Sequence, residues 1–171
     1  MIRGVFFLCL AIGSVLQVSA QTSGQPVIAG VDHIPVAVRD LDSAAARFKA
    51  LGFALKPGRS HTNGIRNMHV KFTDGTELEL ITATDARDEL TTAYRQHLAK
   101  GEGPAFLALY TPDKAALIRL LKRSGLAFDT ADGFPTMAAH GPLPYLFFGS
   151  GNQSHCMDIV KDTTYSHVHG I

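Results

Sequence analysis

Apolar and polar residues follow the same pattern twice along this chain, and each stretch predicts the same run of elements. Val31–Val38 alternates, placing Ile34, Val36 and Val38 on one side of an extended strand and His33, Pro35 and Ala37 on the other. Helical spacing takes over at Leu41, Ala44, Ala45, Phe48 and Leu51; Asp40 or Asp42 can cap the free amides, and Gly52 ends the helix. The second stretch opens with the apolar strand Phe106–Tyr110. A helix follows, predicted with Thr111 as its cap, Pro112 in its first turn, Leu117, Ile118, Leu120 and Leu121 facing inward, and Gly125 at its end. At an offset of 73 residues Asp40 falls on Asp113 and Gly52 on Gly125, while Ile34, Val36 and Leu55 fall on Leu107, Leu109 and Phe128. Neither strand-helix-strand unit alone can bury its sheet, so the repeat predicts one pseudo-symmetric domain with function between the copies.

Between the units, Asn67–Ile81 reads as a hairpin around Asp74 and Gly75. A two-residue loop pairs Phe72 with Glu77. A three-residue loop with Gly75 left-handed pairs Lys71 with Glu77 and His69 with Glu79, and only this register keeps apolar with apolar. It turns Met68, Val70, Phe72, Leu78 and Leu80 toward the helix and sets His69, Lys71, Glu77 and Glu79 on the opposite face, with His33. A connecting helix is predicted over Asp85–Lys100, with Leu90, Tyr94 and Leu98 as its apolar stripe and His97 on it, ended by Gly101 to Pro104. In the second unit Leu143–Phe148 reads as a strand, 149–153 as a turn, and His155–Val160 as a return strand presenting either His155 or Asp158.

The N-terminus differs in kind. Arg3, the apolar run Val5–Leu16 and the small residues before Gln21 read as an export signal over 1–20, the run being shorter than the roughly 20 residues of a membrane span. The expected layout is then a linker over 21–29, a domain over 30–160 and a tail over 161–171. The domain divides into a first module, 30–84, the connecting helix, 85–100, and a second module, 104–160. Cys9 leaves with the signal, so Cys156 has no intramolecular disulfide partner, and the mature chain is expected to be secreted or periplasmic, free of the membrane and possible as a homodimer. A hydrophobic content of 46% suits a globular domain, and a formal net charge of +1 without basic clusters argues against nucleic acid.

Candidate chemistry gathers on the polar face. A His on one strand and a Glu on another, pointing into the same concavity, are the minimal beginning of a divalent-metal site. The same arrangement also describes an antiparallel sheet with one solvated face, on which Lys71 and Glu77 form a weak surface pair. His61, Arg66 and Asn67 precede the third strand, where a loop can lean over a cavity: His61 as acid or base, Arg66 holding a carboxylate or enolate, or all three simply making the turn. His140 sits in a Pro- and Gly-rich loop, and His167 and His169 in a tail of the kind that commonly frays. Phosphate-binding Gly loops, CxxC pairs and Ser-centred elbows are absent from the sequence, which disfavours covalent catalysis.

Four stretches together resemble a known family: Asp32-His33-Ile34 opening a strand, Asp40-Leu41-Asp42, Leu51-Gly52-Phe53, and Leu78-Glu79-Leu80-Ile81, supported by Gly58 to Asn67. They are similar to glyoxalase-like domains of the vicinal oxygen chelate superfamily, whose fold also serves bleomycin-resistance proteins and extradiol dioxygenases. The resemblance covers about Val31 to Gly149. It implies an α+β fold of paired βαβββ modules forming an incomplete barrel. It also implies one divalent metal, Zn, Fe(II), Mn or Ni, held by His33 and Glu79, and a small substrate with adjacent oxygens processed by a lyase, isomerase or dioxygenase. His61 and Arg66 would be catalytic, with Asn67, His69 and Phe106 touching substrate. This chain departs from the family at the position matching His33 in the second copy, which is Phe106. That departure supports a rival expectation: a metal-free protein that binds or sequesters a small molecule.

Overall fold

The computed structural model describes residues 26–150 apart from 73, 131 and 132. The signal over 1–20, Cys156, the return strand with His155 and Asp158, and the tail with His167 and His169 lie outside the described residues. In chain order the elements are β1 (Gly30–Ala37), α1 (Leu41–Ala50), β2 (Ala54–Ser60), β3 (Ile65–Lys71), β4 (Glu77–Ala83), α2 (Glu89–Lys100), β5 (Gly103–Pro104), β6 (Leu107–Tyr110), α3 (Lys114–Arg123), β7 (Phe128–Asp129), β8 (Thr136–Met137) and β9 (Leu146–Gly149). The strands form one open sheet in the order β2-β3-β4-β1-β6-β9-β8-β7, with β5 on β1. This order is a palindrome of two modules. In each, the first strand runs parallel to the last, β1 beside β4 and β6 beside β9.

The seam between the modules confirms the repeat residue by residue. Gly30 pairs with Tyr110 and Ala37 with Gly103; moving the first-module residue up by 73 and its partner down by 73 turns one pair into the other. Val31 with Leu109 and Val36 with Pro104 are exchanged in the same way. Asp40 and Asp113 cap α1 and α3, accepting the amides of Ser43 and Ala116 at 3.0 and 2.9 Å. Gly52 and Gly125, just past the two helices, have φ of 91° and 66°, where a β-carbon is disfavoured.

Burial explains the faces. Val38, Val70 and Leu80 pack against Leu41 and Ala45 of α1, while Leu117 and Leu121 of α3 pack on Met137 and Phe148. Helix α2 covers one end of the opposite, inner face, with Tyr94 set among Ala37, Ile65, Ile81 and Ala83.

Two local expectations are corrected. Thr111 does not cap α3; it is buried and its hydroxyl donates to the Val27 carbonyl at 2.5 Å, and the stronger acceptor Asp113 takes the cap, leaving Pro112 ahead of the helix. Helix α2 turns Thr91, not Leu90, inward, because Thr91 closes a reciprocal capping box with Asp88; Leu90 is exposed. Leu146–Gly149, expected as the strand before the turn, pairs parallel to β6 and so takes in the second module the place that β4 takes in the first.

Candidate functional site

The predicted three-residue hairpin register is the one observed: Lys71 pairs with Glu77, His69 with Glu79 and Asn67 with Ile81. Strand parity therefore brings His69, Asn67, Glu77, Glu79 and His33 onto one inner face. The His33 Nε2 lies 3.5 Å from Glu79 Oε2, and its Nδ1 lies 3.2 Å from Asp32 Oδ2. Burial works against a charged imidazole here, but the hydrogen bond to Asp32 and the charges of Glu79, Asp32 and Glu77 outweigh it, raising the His33 pKa above 6.5. One strand over, His69 Nδ1 lies 3.0 Å from Glu77 Oε1, while Lys71 Nζ pairs with Glu77 Oε2. The Lys71 and Glu77 side chains are only 4% and 5% exposed, so this is a buried ion pair and not the solvated pair expected from the alternation. Two imidazole-carboxylate pairs thus sit side by side.

Asn67 supports this array from below. Its Oδ1 accepts the Arg59 amide at 2.8 Å, which fixes the amide so that Nδ2 donates to Glu79 Oε1 at 2.5 Å. Gly58 makes the arrangement possible: a β-carbon there would lie 2.1 Å from Asn67 Oδ1. Expected to touch substrate, Asn67 instead has both ends of its amide engaged by the protein.

The other predicted residues are placed differently. Arg66 belongs to β3, which begins earlier than the sequence suggested; one residue from Asn67, it points to the other face, 52% exposed, with NH2 3.8 Å from Asp42. His61 lies in the turn before β3, its amide bonded to the Ile65 carbonyl and its Nε2 buried without a hydrogen-bond partner; it makes no hydrogen bond to the His33-Glu79 pair. His97 is half-buried on α2, and His140 is exposed in its loop. Two contributors were missed by sequence reasoning. Asp32 holds the outer nitrogen of His33, a role hinted at only by its adjacency. Tyr94, taken as a structural residue of the connecting helix, is held as a phenol well above the usual range by burial and by the charge of Glu79.

The second module mirrors these positions without their chemistry. Phe106 is the counterpart of His33 by the seam pairing. Pro35 faces Glu79 in the first module; its counterpart Ala108 faces Phe147, which therefore takes the place of Glu79. Thr136, paired with Phe147, takes the place of His69. The aromatic residues form a wall: Phe147 meets His33 edge-on at 5.3 Å between ring centroids, across the small Ala108, and Phe106 lies 6.4 Å from Phe147 and 5.2 Å from Tyr94.

This two-module frame with its inner-face site coincides with a known family model, the glyoxalase-like domain, which matches residues 31–154. The chain belongs to the glyoxalase-like domain family. Among solved structures, this glyoxalase-like domain is similar to methylmalonyl-CoA epimerase from Mycobacterium tuberculosis, with 25% identity over 64% of this chain and 73% of that one and a TM-score of 0.52. A Streptomyces coelicolor methylmalonyl-CoA epimerase in complex with 2-nitronate-propionyl-CoA matches at 27% identity over 59% and 75%, with a TM-score of 0.49. A hypothetical protein from Bacillus halodurans C-125 shares the fold at 14% identity, 71% and 95% coverage and a TM-score of 0.55. No curated protein matches the chain.

Glyoxalase-like domains of this superfamily often use a divalent metal, so the donor set can be tested. A catalytic zinc typically keeps three protein ligands. His33 and Glu79 supply two, their counterparts are Phe106 and Phe147, and among the described residues no group of three His, Cys, Asp or Glu side chains converges. The described residues of this glyoxalase-like domain therefore do not fit the metal implied by the resemblance.

Proposed function

We propose that this glyoxalase-like domain is an isomerase-type enzyme that moves a proton at a carbon beside a carbonyl in a small substrate with adjacent oxygens. The observation that carries the reading is the pair of imidazole-carboxylate units on neighbouring strands, His33 with Glu79 and His69 with Glu77. Moving a proton through an enolate needs one group to take it and another to stabilise the oxygen, and two imidazoles with different carboxylate partners can divide these roles. Glu77 engages Nδ1 of His69 and so leaves Nε2 as the basic atom, which accepts the carbon-bound proton. The acidic neighbours of His33 favour its protonated form, and that positive charge, held between Asp32 and Glu79, stabilises the enolate through space. With a 2-hydroxy ketone, His69 Nε2 then returns the proton to the former carbonyl carbon while the hydroxyl proton moves to the former carbonyl oxygen, so that carbonyl and hydroxyl exchange places; without that shift the same abstraction and return gives exchange alone. Support also comes from the likeness to an epimerase at 25% identity.

We further propose export, on the strength of Arg3 and the apolar run that follows it, with the mature chain starting at Gln21. N-terminal sequencing of the protein recovered from outside the cytoplasm tests this part.

Activity is tested by proton NMR in D2O with a panel of 2-substituted acyl thioesters and 2-hydroxy ketones. Exchange of the carbon-bound proton is expected in the wild type and is expected to be lost in His69→Gln and strongly slowed in His33→Gln. A panel compound that raises the melting temperature without exchanging would turn the assignment to the second reading, a binding protein. The aromatic wall of Phe106 and Phe147 favours that alternative.

A further inference from the structure

The exact exchange of seam pairs under an offset of 73 makes the two modules comparable position by position. At the two positions where the first module presents His33 and Glu79, the second presents Phe106 and Phe147. We propose that this pair of phenylalanines is what makes the inner face metal-independent: the second module's donor positions are present in the backbone and filled by rings. Three observations bear on it. Ala108, which separates the two positions along the seam, is small enough for Phe147 to reach across β6 to His33 at 5.3 Å. Both His33 nitrogens already face carboxylate oxygens, Asp32 at 3.2 Å and Glu79 at 3.5 Å, and Glu79 Oε1 is held by Asn67. Phenyl rings offer no lone pair, so a dication held by His33 and Glu79 would find no ligand at the two matched positions of the second module. The inference stands on the paired geometry and does not require the proton-transfer reading to hold.

The test restores the missing donors. Cobalt(II) is titrated into the wild-type protein and into Phe106→His, Phe147→Glu and the double variant, followed by the visible absorption of the bound ion and by competition with zinc. The wild type is expected to develop no ligand-field band up to millimolar cobalt. The double variant should bind stoichiometrically, at least about 100-fold tighter, and lose that affinity when His33→Ala is added; each single variant should gain roughly tenfold. Tight cobalt binding by the wild type, abolished in His33→Ala and Glu79→Ala, would overturn the proposal. So would a folded double variant, judged by circular dichroism, that binds no better than the wild type. If the double variant does not fold, a folded Phe106→His with unchanged affinity overturns it equally, and a gain supports it. None of these readouts uses turnover, so loss of the enzymatic reading and loss of this inference are seen separately.

Discussion

Replacing Glu77 by Gln should change how the fold responds to acid. The carboxylate is almost fully buried, with Oε1 on His69 and Oε2 on Lys71. Burial pushes its pKa up, but hydrogen bonds from His69 and Lys71 and their charges outweigh that and hold it at about 2, against an ordinary 4.5. Because the folded value is the lower one, the stabilisation is complete above pH 4.5 and is lost as the pH falls from 4.5 toward 2. At about 1.4 kcal/mol per pH unit this amounts to about 3 kcal/mol. Urea melts of wild type and Glu77→Gln, run in parallel from pH 6 to pH 2, isolate the effect because groups titrating alike in both proteins cancel. At pH 6 the variant leaves Lys71 buried without its counter-charge and should be less stable by about 3–5 kcal/mol. The gap should close by about 3 kcal/mol on reaching pH 2, where the wild-type carboxyl is itself protonating. A gap that stays constant across the range would mean that Glu77 titrates alike folded and unfolded, and would refute the account of the buried pair.

Leu80 is fully buried under α1, so Leu80→Ala should cost about 3 kcal/mol, read as a drop in urea midpoint at unchanged slope. Gly52→Ala meets no neighbouring atom but forces φ of 91° on a β-carbon, so it should cost roughly 1–2 kcal/mol by the same melts. Gly58→Ala should push Asn67 off Glu79, removing a hydrogen bond to a charged group at about 1.5–3 kcal/mol and slowing proton exchange; unaltered exchange would contradict the role given to Asn67. Arg66→Ala, exposed on the far face, should change stability by less than about 0.5 kcal/mol and leave exchange within about twofold; a large loss of activity would place Arg66 back in the site.

The first module was legible because its signals are local and agree with one another. Gly75 and the apolar partners on either side of it allow only one hairpin register, and that register with strand parity puts His33, His69 and Glu79 on a common face. Arg66 was misjudged for a simple reason: β3 starts at Ile65, and once its start is known, parity alone separates Arg66 from Asn67. The burial of Lys71 and Glu77 has no local signature, since alternation in a half-solvated sheet and in a covered one looks the same. Tyr94 reaches the site through the packing of α2 on the inner face, a contact between segments that are distant in sequence. The second module was obscure because β7 and β8 are two residues long and carry almost no periodic signal, so the parallel pairing of β9 with β6 could not be anticipated.

Because the seam maps each module onto the other, the chain holds a built-in control experiment in side-chain tolerance. One backbone slot has been filled with both His and Phe, at 33 and 106, a second with Glu and Phe, at 79 and 147, and a third with His and Thr, at 69 and 136. The same strand geometry therefore accepts either a polar or an aromatic lining, and exchanging the contents of matched slots offers a route to relocating chemistry from one half of the molecule to the other without redrawing its scaffold.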